Sequence, residues 1–333
     1  MIRKQHIVLI YNSTVGLGKD YSRDVTAVSK ALSRLGVIVE HLPISKSLPK
    51  LISSLNKTSS KCVFNLCEEF HNKSWGEVYV AGLLELMNIP YTGSGPMGLT
   101  FGLNKAKSKD ILKSHGIKTP KYHVVEFCDS FIAKDITSYL EFPVIVKPLY
   151  EDGSYGIDSD SVVNNEKDLT KKIELVFKRF KEPAILEEFI DGRELNVSIV
   201  GNGDNLNILP ISEILFTGKT NNISKICSYE AKWAKKSRLY KSAVPVCPAE
   251  LPDSVKKHVM SVCRRVFKIM DCRDYARIDI RLDKNKIPYI IDVNPNPCLG
   301  LDGGFVRSAK RAGMSYEQII GEILRQCFKR YGM

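Results

Sequence analysis

Residues 274–300 read "DYARIDIRLDKNKIPYIIDVNPNPCLG". Alternation puts Ala276, Ile278, Ile280 and Leu282 on one face of a strand and Arg277, Asp279 and Arg281 on the other. A second strand carries Asp292 and Asn294 and then meets Pro295 and Pro297, neither of which can donate to a sheet ladder. With a turn centred on Lys284-Asn285, position 277 pairs with 292, which sets Asp292 opposite Arg277 and diagonal to Asp279. Two carboxylates so close repel unless a cation lies between them. A hard cation with oxygen ligands suits Asp279, Asp292 and Asn294, and Mg²⁺ held this way keeps waters and phosphate oxygens in its shell. The same spacing also suits a plain hairpin in which Arg277 pairs with Asp292. The prolines favour the site, because they end the strand just past the ligands, where α/β-type sites lie.

Other segments give the surroundings. "HIVLI" at 6–10 is a buried strand, 20–35 a helix ending at Gly36, and "VIVEHL" a second strand. This β-loop-α-β order predicts a parallel sheet, with "KCVFNLCE" at 61–68 as its third strand. Helices are expected at 77–87, before Gly116, at 253–270 and at 315–330. "FPVIVKPLYEDGSYG" is a strand running into a loop with Gly153, Ser154 and Gly156, whose amides can wrap phosphate beside Lys147. "PAILEEFIDGRELNVSIVG" predicts two strands about a tight Asp191-Gly192 turn. Residues 216–242 are polar and Lys-rich and read as a mobile loop. "NSTVGLGKD" at 12–20 is not a P-loop, since Ser13 and Asp20 stand where glycine and a hydroxyl residue are required.

With 333 residues and 44% hydrophobic content, the chain is globular and long enough for two or three domains. No apolar run is long enough to span a bilayer, and the first is too short for a signal-peptide core. Nine scattered cysteines without a C-x-x-C pair predict reduced thiols and a cytoplasmic protein. The net charge of +12 is spread along the chain, which favours a basic surface serving a phosphate ligand over a nucleic-acid binder.

Together "GLLELMNIPYTGSG", "LNKAKSKDILKSHGIKTP", "FPVIVKP", "LEEFIDGREL", "YEAKW", "ARIDIRLD", "DVNPNP" and "AGMSYEQII" resemble the ATP-grasp superfamily, in its D-alanine–D-alanine ligase-like branch, from about residue 60 onward. The resemblance implies an α/β chain, α+β in its ATP-binding part. It would have a Rossmann-like N-terminal domain (1–103), a central ATP-grasp subdomain (104–191) and a C-terminal ATP-grasp domain (192–333). It implies that Lys105 and Lys147 hold ATP phosphates, that Glu187, Glu188, Phe189 and Ile190 meet adenine, and that Glu194 takes the ribose. Gly153 and Ser154 would cover the phosphates, and Lys232 would reach them from the mobile loop. Asp279, Asp292 and Asn294 would bind two Mg²⁺, with Mn²⁺ as a substitute. Arg277 would stabilise an oxyanion.

The implied reaction joins a small-molecule carboxylate to an amine through an acyl phosphate, in a homodimer with no membrane or nucleic-acid partner. The amino-acid half departs from the family. Trp233 stands where tyrosine is common, Gly153 where a serine is, and Cys298 and Gly303 where a glycine and a serine hold the second substrate. His71 falls near a family histidine. These departures favour an altered substrate over D-alanyl-D-alanine. A true D-alanine–D-alanine ligase and a non-catalytic regulatory ATP-binding protein are the alternatives. Cys298 reads as a pocket wall rather than a nucleophile, since no base is identified for it.

Overall fold

The structure is a computed structural model and describes residues 5–12, 22–44, 47–58, 60, 62–127, 131–217, 226–234 and 236–333. The loop at 13–21, with the non-P-loop glycines, lies outside the described residues, as does 218–225 of the expected mobile loop.

The first layer contains β1 (His6–Asn12), α1 (Ser22–Arg34), β2 (Ile38–Ile44), α2 (Leu48–Lys57), β3 (Cys62–Leu66), α3 (Gly76–Leu86) and α4 (Pro96–Leu103). β2, β1 and β3 form a parallel sheet in that order, as expected. The continuous apolar run in β1 follows from burial on both faces. Ile7 and Leu9 pack with Val28 and Leu32 of α1, while Val8 and Ile10 pack with Leu51, Leu55 and Leu84 of α2 and α3.

Next come α5 (Lys105–Ser114), β4 (Tyr122–Val125), α6 (Ala133–Thr137), β5 (Val144–Pro148), β6 (Val162–Val163), α7 (Glu166–Phe180) and β7 (Ala184–Glu188). Asn104 separates α4 from α5 and caps the latter by accepting from the Lys107 N–H. β4, β7, β5 and β6 form an antiparallel sheet, covered by Leu169, Ile173 and Val176 of α7.

The third layer contains β8 (Arg193–Asn202), β9 (Asn205–Ile208), β10 (Ser212–Phe216), α8 (Tyr229–Trp233), α9 (Arg238–Ser242), β11 (Ala243–Val246), α10 (Asp253–Ile269), β12 (Tyr275–Leu282), β13 (Pro288–Asn294), α11 (Gly304–Arg311) and α12 (Tyr316–Tyr331). Its sheet runs β11-β10-β8-β12-β13, with β9 on β8. One face packs on α10 and α5, and the other on α11 and α12. The core on α12 also contains Ile7, Leu9 and Phe64 of the first sheet, so α12 joins the two.

Three expectations are corrected. β7 and β8 do not pair about Asp191-Gly192, because β7 lies between β4 and β5 while β8 lies between β10 and β12. The segment crosses from one sheet to the other, and a Cβ on Gly192 would meet the Leu282 carbonyl oxygen at 2.1 Å. The β12–β13 register also differs. Arg277 pairs with Asn294 and Asp279 with Asp292, and the count then slips so that Ile280 faces Ile290. Ile291 is thus an extra residue, a β-bulge. Asp292 is opposite Asp279 and diagonal to Arg277, and Arg277 pairs with Asp279 rather than Asp292. Finally, 216–242 is not all loop, since α8 and α9 lie within it.

Candidate active site

Arg277 and Asp279 are two residues apart on one strand, so their side chains share a face. Arg277 donates from Nε and Nη2 to the two Asp279 oxygens at 2.7 and 2.8 Å. Asn196 of β8 adds a bond of 2.8 Å to Asp279, and Asn294 of β13 adds one of 3.1 Å. Burial alone would push the Asp279 carboxyl up. Arg277, Lys232 and Asn196 outweigh it and hold the group below its ordinary value.

Asp292, directly across, differs. Among the described residues its hydrogen bond comes from its neighbour's N–H, that of Val293. Burial raises its pKa, Asp279 adds to the rise, and Lys105, Lys147 and Lys109 oppose it. Two facing carboxylates, one of them without a side-chain donor, and an Asn294 whose amide nitrogen is turned to Asp279 form a set of oxygen donors that fits a hard divalent cation.

Lysines meet this edge from the middle layer. Lys147 at the end of β5 reaches Glu187 at 2.9 Å, and Lys109 of α5 reaches the other oxygen at 3.2 Å. Lys109 also donates to the carbonyl of the bulged residue, Ile291, at 3.1 Å. Lys105, one helical turn earlier, donates to the Glu151 carbonyl at the start of the glycine loop. Lys109 is absent from the sequence reading. Its signal was present, since it follows Lys105 by four positions on one helix face.

The glycine loop adopts left-handed backbone at Gly153, Ser154 and Gly156. The 226–234 segment docks on it. Ser154 Oγ donates to the Cys227 carbonyl at 2.9 Å, and the Trp233 indole donates to the Gly153 carbonyl at 3.0 Å. Lys232 lies on the same short helix, and its charge acts on both Asp279 and Glu194. Glu194 is buried beside Arg281 at 3.3 Å. Ile190 is buried, and Phe189 has the Arg281 guanidinium 5.2 Å over its ring. Glu188 is half-buried on the same segment.

The amino-acid candidates are less concentrated. Cys298 donates to Asp24 of α1 at 3.2 Å and accepts from the Gly300 N–H. Burial and Asp24 push its thiol up to about 12, which disfavours a thiolate nucleophile at neutral pH. Gly303 folds back on this loop, where a Cβ would lie 3.0 Å from the Cys298 carbonyl oxygen. His71 is exposed with its ring edge on Phe70, and among the described residues it has no polar contact with the other candidates.

Glu182 supports the glycine loop by accepting from the Tyr150 N–H at 3.0 Å. Burial raises its pKa from 4.5 to about 7, with Glu151 adding to the rise. The folded protein therefore holds a proton that the unfolded chain has released, so stability falls as pH rises from 4.5 toward 7. Glu182→Gln should remove this slope, melting higher than the parent at pH 8 and at a similar temperature near pH 4. Thermal unfolding across pH would show the opposite if the carboxylate were needed ionised.

Converging lysines, a glycine loop and facing acids across two antiparallel sheets are the arrangement of the ATP-grasp class. The profile described as D-ala D-ala ligase C-terminus matches residues 111–325. An uncharacterized protein, y4sG, of Sinorhizobium fredii is 30% identical over 82% of this chain and 76% of its own. The D-alanine–D-alanine ligase of Carboxydothermus hydrogenoformans is 29% identical over 90% of each chain. The fold matches Bacillus anthracis D-alanine–D-alanine ligase complexed with ATP at a TM-score of 0.78, 22% identity and 98% coverage of each chain. It matches VanG D-Ala:D-Ser ligase of Enterococcus faecalis at 0.75, with 18% identity, covering 98% of this chain and all of that one. The chain belongs to the D-alanine–D-alanine ligase family and is an ATP-dependent ligase that forms carbon–nitrogen bonds.

Proposed function

We propose that the chain activates a small carboxylate with ATP and joins it to an amine, with an amino-acid site that differs from that for two D-alanines. The observation that carries this is Asp279 facing Asp292 beside Arg277, at the edge where Lys105, Lys109 and Lys147 converge. Asp279, Asp292 and Asn294 hold Mg²⁺, which when bound supplies charge neutralisation to the phosphates. Lys105, Lys147 and Lys232 hold the transferring phosphoryl group, and Gly153 and Ser154 close over it. Glu188, Phe189 and Ile190 line the adenine, Glu187 orients the lysines beside it, and Glu194 binds the ribose.

The substrate carboxylate oxygen attacks the γ-phosphorus and ADP leaves. The amine nitrogen then attacks the acyl carbon, a carbon–nitrogen bond forms, phosphate departs and the nitrogen loses a proton. Arg277 stabilises the oxyanion of the second step. Residues 226–242 exclude water from the acyl phosphate. Trp233, Cys298, Gly303 and His71 bound the amino-acid side.

The layers correspond to domains at 1–103, 104–191 and 192–333. The protein acts in the cytoplasm as a homodimer without nucleic acid. Among the described residues no helix is long and apolar enough to cross a membrane.

The test is ADP release with Mg-ATP against D- and L-amino acids, dipeptides and non-proteinogenic acids, with product masses. A productive acid–amine pair whose product is not D-alanyl-D-alanine is expected. ATP binding without stimulation by any pair would sink the ligase reading. Efficient D-alanyl-D-alanine synthesis would sink the altered site.

A further inference from the structure

The charged stripe of β12 has a third member to which the reaction assigns nothing. Arg277, Asp279 and Arg281 alternate along one face, and the neighbouring β8 sets Asn196 opposite Asp279 and Glu194 opposite Arg281. Arg281 and Glu194 are both buried, and Arg281 Nη2 lies 3.3 Å from Glu194 Oε2. Its Nη1 donates to the Gly192 carbonyl at 3.2 Å. The guanidinium carbon is 5.2 Å from the centre of the Phe189 ring and 6.0 Å from that of Phe216.

One side chain therefore fixes the crossing segment at the Phe189 ring, the Gly192 backbone and the Glu194 carboxylate. The backbones are close as well, since Gly192 has no room for a Cβ against the Leu282 carbonyl. This is the segment read above as lining the adenine and binding the ribose, so what holds it sets how the nucleoside is met. The fork matters here. A guanidinium presents its donors in a rigid plane that spans a carboxylate and a carbonyl at once, which an ammonium on a flexible stem does not. Charge matters too. Burial pushes the Glu194 carboxyl up, Arg281 is the strongest influence against it, Asp279 adds to the rise, and Lys232 and the Cys227 N–H oppose it. An ionised carboxylate only accepts, and it can receive two hydroxyls at once.

We propose that Arg281 is a positioning residue for nucleotide choice: it holds Glu194 as the acceptor of both ribose hydroxyls, so that the enzyme selects ribonucleotides over nucleotides that lack those hydroxyls. This rests on the reading above that sets the ribose at Glu194. Arg281 acts through Glu194 rather than on the nucleotide. Loss of hydrogen bonds to a charged group of this kind weakens binding by about 10- to 100-fold.

The ratio of two affinities separates this role from a structural one. Binding of Mg-ADP and of Mg-2′,3′-dideoxy-ADP to the full chain is measured by titration calorimetry for the parent, Glu194→Gln, Arg281→Lys and Arg281→Met. The parent should prefer Mg-ADP by about 10- to 100-fold. Each variant should lose most of that preference by weakening toward Mg-ADP alone. Arg281→Met leaves Glu194 buried without its partner, so where that variant does not fold, Arg281→Lys, which keeps the charge and loses the fork, decides. Damage to the adenine side, where Arg281 lies against Phe189, would weaken both nucleotides alike and leave the ratio where it was. Such a matched loss overturns the proposal. If Glu194→Gln loses the preference and Arg281→Lys keeps it, the ribose stays at Glu194 and the role of Arg281 falls. A parent that binds both nucleotides equally overturns the proposal together with the ribose site. Because no turnover is needed, the result is separate from that of the ADP-release screen.

Discussion

Asp292→Asn should lose turnover by about a thousandfold or more while melting no lower than the parent. The loss follows from the several kcal/mol that a bound cation contributes at a charged transition state, at about 1.4 kcal/mol per tenfold in rate. The retained stability follows from position. The half-buried Asp292 carboxylate lies opposite Asp279, and neither Lys105, Lys109 nor Lys147 forms an ion pair with it among the described residues. Asparagine keeps the shape and an oxygen that can accept from the Val293 N–H, and it removes a like-charge repulsion. A group kept at a cost to the fold is what a ligand site requires. Steady-state ADP release and thermal unfolding of the same preparation test both halves. Turnover near that of the parent would take Asp292 out of the metal site, and a large drop in melting temperature would show that its charge is structural.

This site was legible because its chemistry is local. Arg277, Asp279, Asp292 and Asn294 lie on two neighbouring strands, where alternation alone assigns each to a face. What alternation cannot give is register. Ile290 and Ile291 are consecutive apolar residues, and that break in the pattern is the trace of the bulge that set Asp292 against Asp279. The bulge has a use, since the carbonyl of Ile291 accepts from Lys109. Asp191-Gly192 misled for a different reason. A tight turn and a crossing between sheets share the same local residues, and only the strands paired on either side, β4 and β5 against β10 and β12, tell them apart. α7 was overlooked although Leu169, Ile173 and Val176 recur at helical spacing after an Asn165 cap.

Glu187→Ala should destabilise the protein by about 3–5 kcal/mol, the usual cost of removing one partner from a buried ion pair. Glu187 is 1% exposed, with Lys147 on one oxygen and Lys109 on the other, both also buried. Burial alone would push its carboxyl up, but the two lysines outweigh that and hold it below the ordinary range. Its contribution is therefore present above the unfolded carboxylate value and is lost as pH falls through the depressed folded value. Without Glu187 two buried ammonium groups repel each other, and burial already lowers the pKa of Lys109. If the damage comes from stranded charge, Lys109→Met should relieve part of it. In a cycle of Glu187→Gln, Lys109→Met and the double variant, the double should be more stable than the sum of the singles, by about 0.5–3 kcal/mol. Urea unfolding of the four proteins measures this coupling. Strict additivity would mean that the lysines find other partners when the acid is gone. The same set links fold to function, because Lys147 and Lys109 owe their positions beside Asp292 to Glu187. ATP affinity should then weaken in Glu187→Gln even at temperatures where the variant is fully folded.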